Sequence, residues 1–365
     1  MIKMKRKSWQ WKIKLKGKLM QDNIKEGSKT KIAIRVLYFL IIFILCGCTG
    51  ANRPRWGYLP TATIGNPFAD PNNLGHHSSG MGLFVEAAGC VYTCKAGDID
   101  LDHVRGNADI TKYLYGRICD TLENKADSFT FNLSGEMSQH IITFTYPENW
   151  AHEKNKQPIM EAIAIDTAPL IAVDSTTWHE IMTWFGVHFL GFEPEFNSAF
   201  SWEDIYSNLV GAKIGVAAMK DKNNTFDEAM TILISDSLKE MGVRPRKVAI
   251  EASKSVAGKW YTGSFIPDMK MRNFDIGTDG SITPVLIPNV PGCEDCEPMT
   301  IEMPNTRTLE KYGFKMTHQI KPNIFEEKKI LEAAGAEELF PEKHYLVLID
   351  YIKKEAQAKG YSYAE

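Results

Sequence analysis

The stretch whose reading decides the fold is GDIDLDHVRGNADITKYLYGRI, Gly97 to Ile118. Its opening alternates: in an extended chain Asp98, Asp100 and Asp102 share one face, with Ile99, Leu101 and His103 on the other. From His103 to Leu122 the period lengthens, and Val104, Ile110, Leu114 and Ile118 line one side of a helix. A strand therefore feeds a helix here, with Asp102 as the expected N-cap. Three like charges in a row repel one another, so the row is either solvated surface or a place where a cation is held. On the helix, Arg105, Asp109 and Tyr113 are spaced four apart and share a face. A solvated face shows the same spacing, and exposed pairs add little stability. What favours a site is density: Asp102, His103, Arg105, Asn107, Asp109 and Tyr113 crowd one strand-to-helix junction.

Downstream, SFTFNL and HIITFTY flank SGEMSQ as a β-hairpin. Pro158 to Val187 reads as a long helix broken near Pro169, and Ser201 to Met219 and Phe226 to Met241 as two more helices. After Trp260 the pattern turns to short strands punctuated by Gly and Pro, and Tyr345 to Ala358 closes as a helix. Leu83 to Leu101 reads as short strands. Helices and hairpins in separate blocks, without a βαβ rhythm, place the chain in the α+β class, a single globular body of helices packed with short antiparallel strands.

Upstream, the first 35 residues hold 12 basic and 2 acidic side chains. They run into VLYFLIIFIL, Val36 to Leu45, too short for an ordinary membrane span but the right length for the apolar region of an export signal. LCGC follows directly, and Cys48, with Leu45 three residues before it, looks like the lipidated cysteine of a bacterial lipobox. The expected organisation is a lipoprotein signal over 1–47, lipidated Cys48 with a Gly/Pro/Asn-rich tether over 48–82, and a globular domain over 83–365. Thr49, where sorting signals often carry aspartate, points to the outer membrane facing the periplasm, with palmitate-type acylation as the anchor. Met20 offers an alternative start that leaves a signal of ordinary length. Without the leader, the 42 basic and 45 acidic residues fall to 30 and 43, a net charge of −13. A body this acidic repels nucleic acid, so the expected partner surface is lipid, through acylated Cys48, and no phosphate backbone.

The remaining cysteines of the body are Cys90, Cys94, Cys119, Cys293 and Cys296. C-x-x-x-C and C-x-x-C could supply four zinc ligands, but an oxidising compartment favours disulfides, whose connectivity spacing does not fix. A Cys/His nucleophile is conceivable because Cys90 and Cys94 precede His103, unless they pair with each other.

Two further stretches carry polar chemistry. In STTWHEIMTWFGVHF, His179 and Glu180 begin an H-E-x-x pattern, but Thr183 stands where a zinc peptidase needs its second histidine. The plain alternatives are a capping box of Thr177 with Glu180 and a core histidine between Trp178 and Trp184. In AFSWEDIYSNLVGAKIG, Ser201 and Asp204 make another plausible capping box, whereas Tyr206, Ser207 and Asn208 are polar groups harder to dismiss. GHHSSG places His76 and His77 in the leading loop, able to reach a site or to lie in solvent. There is no G-x-S-x-G elbow, Walker loop or dinucleotide fingerprint.

CVYTCKAGDIDLDHVRGNADITKYL, WHEIMTWFG and SAFSWEDIYSNLVGAKIG, in this order, resemble the bacterial lipoprotein family DUF4056 over roughly Leu74 to Gly215. The resemblance implies an exported, usually lipid-anchored envelope protein without an established activity, and supports reading His103, Arg105, Asp109, His179, Glu180, Tyr206 and Asn208 as one constellation. It supplies no reaction.

Two readings result. In one, the motifs form a hydrolase-like cleft for a cell-wall, glycan or peptide substrate. His103 or His179 acts as acid/base, Glu180 or Asp109 orients the imidazole, and Arg105 and Asn208 hold an oxyanion or carboxylate. His77, Asp102, Tyr113, Tyr206 and Ser207 are the expected substrate contacts. A variant adds a divalent metal on His179, His103 and a carboxylate. In the other, the chain is a non-catalytic structural or binding lipoprotein and the motifs form a buried hydrogen-bonded network.

Overall fold

The computed structural model describes residues 68–79, 85–133, 137–186, 188–189, 193–262 and 268–364. The basic leader, the apolar block, Cys48 and most of the tether lie outside the described residues. All described residues belong to the compact unit Pro54–Glu365.

The α+β expectation holds. A hairpin of β1 (Cys90–Thr93) and β2 (Gly97–Asp100) leads straight into α1 (Leu101–Glu123). The expected hairpin forms from β3 (Ser128–Phe131) and β4 (Gln139–Thr145), and α2 (Lys156–Phe185) follows. After the short pair β5 (His188–Phe189) and β6 (Glu193–Pro194) come α3 (Asp204–Lys220), α4 (Phe226–Glu240) and α5 (Arg246–Val256). The C-terminal part alternates short elements: β7 (Met271–Asn273), β8 (Ser281–Ile282), β9 (Ile301–Glu302) and α6 (Arg307–Lys311). It closes with β10 (Lys315–Lys321), α7 (Glu327–Ala334), α8 (Pro341–Ala358) and β11 (Ser362–Ala364). β10 joins the β3–β4 hairpin as a third antiparallel strand, and β11 pairs in parallel with β7.

Two local expectations are corrected. The N-cap of α1 is Asp100, not Asp102: its carboxylate accepts from the backbone of Asp102 at 2.7 Å and His103 at 3.4 Å, so the helix begins two residues early. Nor does α2 break at Pro169. The missing N–H costs roughly 3 kcal/mol, but Ala164, Ala168, Ile171 and Ala172 around it are fully buried, and their packing holds the helix straight through.

α1 and α2 run antiparallel through two adjoining cores. The first half of α1 (Leu101, Val104, Ala108) packs on α3 and belongs to the core to which α4 and α8 also contribute. Its second half (Ile110, Leu114, Ile118, Leu122) packs with the β3–β4 hairpin and the start of α2. A smaller cluster joins Tyr92 to α5. A disulfide between Cys94 and Cys293 ties the β1–β2 turn to a loop 199 residues later in sequence. This settles the competition between zinc and disulfide for that pair and removes the Cys90–Cys94 pairing. Cys90, Cys119 and Cys296 carry free thiols. Burial, followed by the charge of Asp100, pushes the Cys90 thiol well up, so it is no nucleophile.

α1 and α3 approach each other closely. A Cβ on Gly211 would fall 2.2 Å from the carbonyl oxygen of Val104, and one on Gly215 would fall 2.9 Å from the Cα of Ala108. The paired order, 211 on 104 and 215 on 108, makes the two helices parallel neighbours in near-backbone contact. The run LVGAKIG is the sequence trace of this contact. Gly211→Ala should lower stability by about 2–4 kcal/mol, because backbone has to move. Gly116→Ala, on α1 where nothing lies within 4 Å of the added carbon, should raise it by about 0.5–1 kcal/mol. Thermal or urea unfolding of the two variants checks both signs, and equal effects would mean the α1–α3 contact is looser than described.

Candidate functional site

The α1–α3 crossing sets the start of α1 against the start of α3. Ser207, on the first turn of α3, accepts from the backbone N–H of Asp100 at 3.0 Å, which fixes the level of the two termini. His103 then stands between two carboxylates, with Nδ1 3.0 Å from Asp100 Oδ2 and Nε2 3.5 Å from Asp204 Oδ1. One ligand-type atom from each of Asp100, His103 and Asp204 lies within 4.8 Å of the others. The His103 side chain is 13% exposed, against 2% for Asp100 and 7% for Asp204, so the imidazole is the part that meets solvent. Burial opposes a charge on His103, but the carboxylates of Asp100 and Asp204 outweigh it and lift its pKa to about 10, with Glu180 adding to the pull. Burial pushes Asp204 well above the carboxylate range. The charge of Glu180 adds to the push, and His103 opposes it.

Further carboxylates crowd the same corner. Asp98 is buried and accepts from the Trp202 indole at 3.0 Å, and burial raises it to about 7 against that hydrogen bond. Burial and then the charge of Asp100 raise Asp102 to about 7. Burial and Asp204 drive Glu203 well up. Glu180, reaching in from α2, accepts from the backbone of Phe200 at 2.6 Å. Chemically, this is a pocket of excess negative charge around one imidazole, able to store protons, to exchange them through His103, or to hold a cation.

A second cluster lies where the leading loop meets α1 and α4. His77 Nε2 is 3.0 Å from Asp109 Oδ1, its Nδ1 is 3.0 Å from Glu86 Oε1, and Asp227 of α4 stands 3.9 Å away. The buried guanidinium of Arg105 donates to the carbonyls of Leu74 at 2.8 Å and Ala87 at 3.4 Å, and faces Glu86 at 3.8 Å. The leading loop is thus clipped to the bundle by a charge-assisted hydrogen bond from His77 Nε2 to Asp109, with Glu86 as ion-pair partner on the Nδ1 side.

The sequence model of the family described as "Protein of unknown function (DUF4056)" matches residues 59–286. The chain belongs to that family. No curated protein and no solved structure shows a significant match to it.

Both clusters of this DUF4056 protein fall inside the matched segment, so the expected single constellation divides in two. Glu180 stands near enough to the first cluster for its charge to act on His103; Arg105, Asp109 and His77 form the second. Arg105 is committed to backbone carbonyls and Glu86 and is not a substrate clamp. His179 is half-buried on α2, and the group of candidate ligands around His103 contains Asp204 in its place. Glu180 sits inside α2, so it caps nothing with Thr177. Tyr113 packs edge-on against Phe131 in the other core. Tyr206 donates to the carbonyl of Met299 at 2.5 Å and Ser207 anchors Asp100, both buried structural roles. Asn208 is buried, and neither polar atom of its amide has a hydrogen-bond partner among the described residues. The box read at Ser201 and Asp204 is half formed: the Ser201 backbone donates to Asp204 at 3.0 Å, while its hydroxyl donates to Ser198.

Sequence reasoning passed over Asp204 as half of a capping box, left Asp100 in the acidic row, and did not single out Glu86, Glu203 or Asp227. The available signal was acidic residues at positions whose helical neighbours are apolar, as in SWEDIYSNLVGA. Also missed was Arg272, fully buried, which donates to the carbonyl of Ala199 and to Asp268 at 3.3 Å.

The His77 cluster has a pH signature. Burial alone lowers the pKa of His77, but Asp109 and Glu86 outweigh it and hold it above 6.5. Asp227 also faces it, with Arg105 set behind Glu86. A histidine raised in the folded state gives its full stabilisation below its unfolded value, and that stabilisation is lost as pH rises through the folded value. The thermal midpoint should therefore fall as pH climbs past about 6.5, and His77→Gln should flatten the decline. Melting curves of both proteins across that range test this; parallel slopes would acquit His77.

Proposed function

We propose that this chain is an exported, lipid-anchored cell-envelope protein whose His103 centre carries hydrolase-like chemistry on a cell-wall, glycan or peptide substrate. The observation that supports the chemistry is a carboxylate at each nitrogen of the His103 imidazole, at 3.0 Å and 3.5 Å, with the ring the most exposed member of the trio. Such a ring is held in one orientation, placed to exchange a proton with a bound substrate. Glu180 is the carboxylate from α2 that steadies the charged state. The address rests on the leader: a basic run, an apolar block of signal length and Cys48 at the expected cut. The anchor in this reading is the acyl chain on Cys48; among the described residues no helix is long and apolar enough to cross a membrane.

A second reading, a non-catalytic structural or binding lipoprotein, draws on the residues already committed to the fold. Arg105, Tyr206 and Ser207 spend their hydrogen bonds on backbone groups. The two readings differ in what His103 does, since a structural network needs no exchange with solvent.

Two experiments test the proposal. Expressed full-length in a bacterial host, the protein should take up labelled palmitate and partition with membranes, and Cys48→Ser should do neither; an unlabelled parent would remove the lipid anchor. Purified protein incubated with cell-wall sacculi should release soluble fragments, and His103→Gln should slow that release about 100-fold or more, the usual share of a general acid/base. A folded parent that releases nothing from sacculi, glycans or peptides would leave the structural reading standing.

A further inference from the structure

The His103 corner contains more than a hydrogen-bonded histidine needs. The gap of 3.5 Å from His103 Nε2 to Asp204 Oδ1 is long for a charge-assisted hydrogen bond, which closes to about 2.7–2.9 Å. It matches instead two neighbouring ligands on one ion, since bonds of about 2.1 Å at a tetrahedral angle place ligand atoms about 3.4 Å apart. Behind the ring, Asp100 Oδ2 stands 3.0 Å from Nδ1, the arrangement in which a carboxylate fixes the tautomer of a metal-bound histidine.

The second, independent observation is Asn208. It is 1% exposed, and neither Oδ1 nor Nδ2 has a hydrogen-bond partner among the described residues. Leaving such an amide unmade costs about 1–3 kcal/mol per group. Gly211 marks the side of α3 that faces α1. At 100° per residue, Asp204 lies about 20° and Asn208 about 60° from that direction, so both belong to the same side of the helix. Ser207, bonded to the Asp100 N–H, sets the level, and Asn208 follows it directly. The unpaired amide therefore stands at the height of the Asp100–His103 turn.

Charge is compatible with this. Asp98, Asp100, Glu180, Glu203 and Asp204 are buried around this corner. The charge of Arg272 acts on Asp204, while its hydrogen bonds go to Ala199 and Asp268. Buried carboxylates in such number take up either protons or a cation.

We propose that this corner is a site for one divalent cation of the Zn²⁺ or Mn²⁺ class, held by His103 Nε2, Asp204 and the Asn208 carbonyl, with Asp100 positioning the imidazole. One imidazole among oxygen donors suits these ions better than Ca²⁺ or a thiolate-seeking metal. The inference deepens the hydrolase reading, on which it rests for its purpose: a bound ion would lower the pKa of a water beside Glu180.

The test uses the full-length protein in detergent, stripped with chelator and titrated calorimetrically with ZnCl₂ and MnCl₂, with bound metal counted by elemental analysis. About one ion per chain is expected, with Asp204→Asn and His103→Gln each weakening binding about 30-fold or more and Asp100→Asn about 10–100-fold. Asp279→Asn, at an exposed acid elsewhere, should bind as the parent does. In case the core variants unfold, Asn208→Asp supplies the opposite sign: it should melt earlier than the parent without metal and gain more from Zn²⁺. No binding, or binding that none of the four corner variants changes, would overturn the site. Fragment release from sacculi by chelated, metal-free protein would overturn the metal inference and leave the hydrolase reading intact; stoichiometric binding without release does the reverse.

Discussion

The near-backbone contact of Gly211 and Gly215 with Val104 and Ala108 is the constraint on which the rest of this architecture depends. Two parallel helices usually keep about 8–10 Å between axes, and a site built between their first turns would be too wide for short side chains to bridge. Removing two Cβ atoms lets α3 close onto α1, and only then can the Ser207 hydroxyl reach the Asp100 N–H and Asp204 approach His103. Asp and Ser are short, so the chemistry of this corner is bought by glycine. The parallel direction matters equally, because it brings two helix N-termini together, and N-termini favour negative groups. Asp100 and Asp204 occupy the places where a carboxylate is least costly near a helix.

That favour does not cover every acid present. Asp98 sits on β2 against the Trp202 indole, Glu203 precedes α3, and Glu180 reaches in from α2 to the Phe200 backbone. A core assembled for stability alone has little use for buried carboxylates, which lose hydration and repel one another. The His77 cluster shows how the same chain satisfies acids when the purpose is to fasten: a carboxylate at 3.0 Å on each ring nitrogen, a guanidinium behind one of them and backbone carbonyls completing the set. At the His103 corner the second carboxylate stands off at 3.5 Å, and a neighbouring buried amide, that of Asn208, is unpaired among the described residues. That amide beside an acid-rich histidine is what separates a candidate site from structural polarity.

Much of the fold was legible because it rests on local periodicity. The change of period at His103 located α1 to within two residues, and the paired alternating runs located the β3–β4 hairpin. Pro169 misled because tertiary burial overrode a local rule. The helices Arg307–Lys311 and Glu327–Ala334 escaped because they are short segments stabilised by packing, not by pattern. For the site, His103 and Glu180 stood out as ionisable groups in unusual density, and the charge of Glu180 does act on His103. Asp204 did not stand out, since a Ser-x-x-Asp spacing has an ordinary explanation, and only the crossing of α1 with α3 gives it another. The split of Arg105 and Asp109 from His103 was hidden for the same reason: residues two and six positions along a helix point to different sides, and which neighbour waits there is a property of the whole fold.

α1 also explains why the two clusters belong to one device. His103 and the Arg105–Asp109 pair are carried on its first three turns, on sides separated by roughly 200° at the 100° advance per residue. The leading loop, clipped through His77, Glu86 and Asp109, presses on one side while α3 presses on the other. The Gly89 N–H, at the end of that loop, donates to Asp102 at 3.3 Å, and the Leu101 N–H donates back to the Gly89 carbonyl at 3.2 Å. The turn that caps α1 is therefore gripped from both directions. A site made of short side chains needs its helix termini fixed to fractions of an ångström, and here the leading loop is part of the fixture.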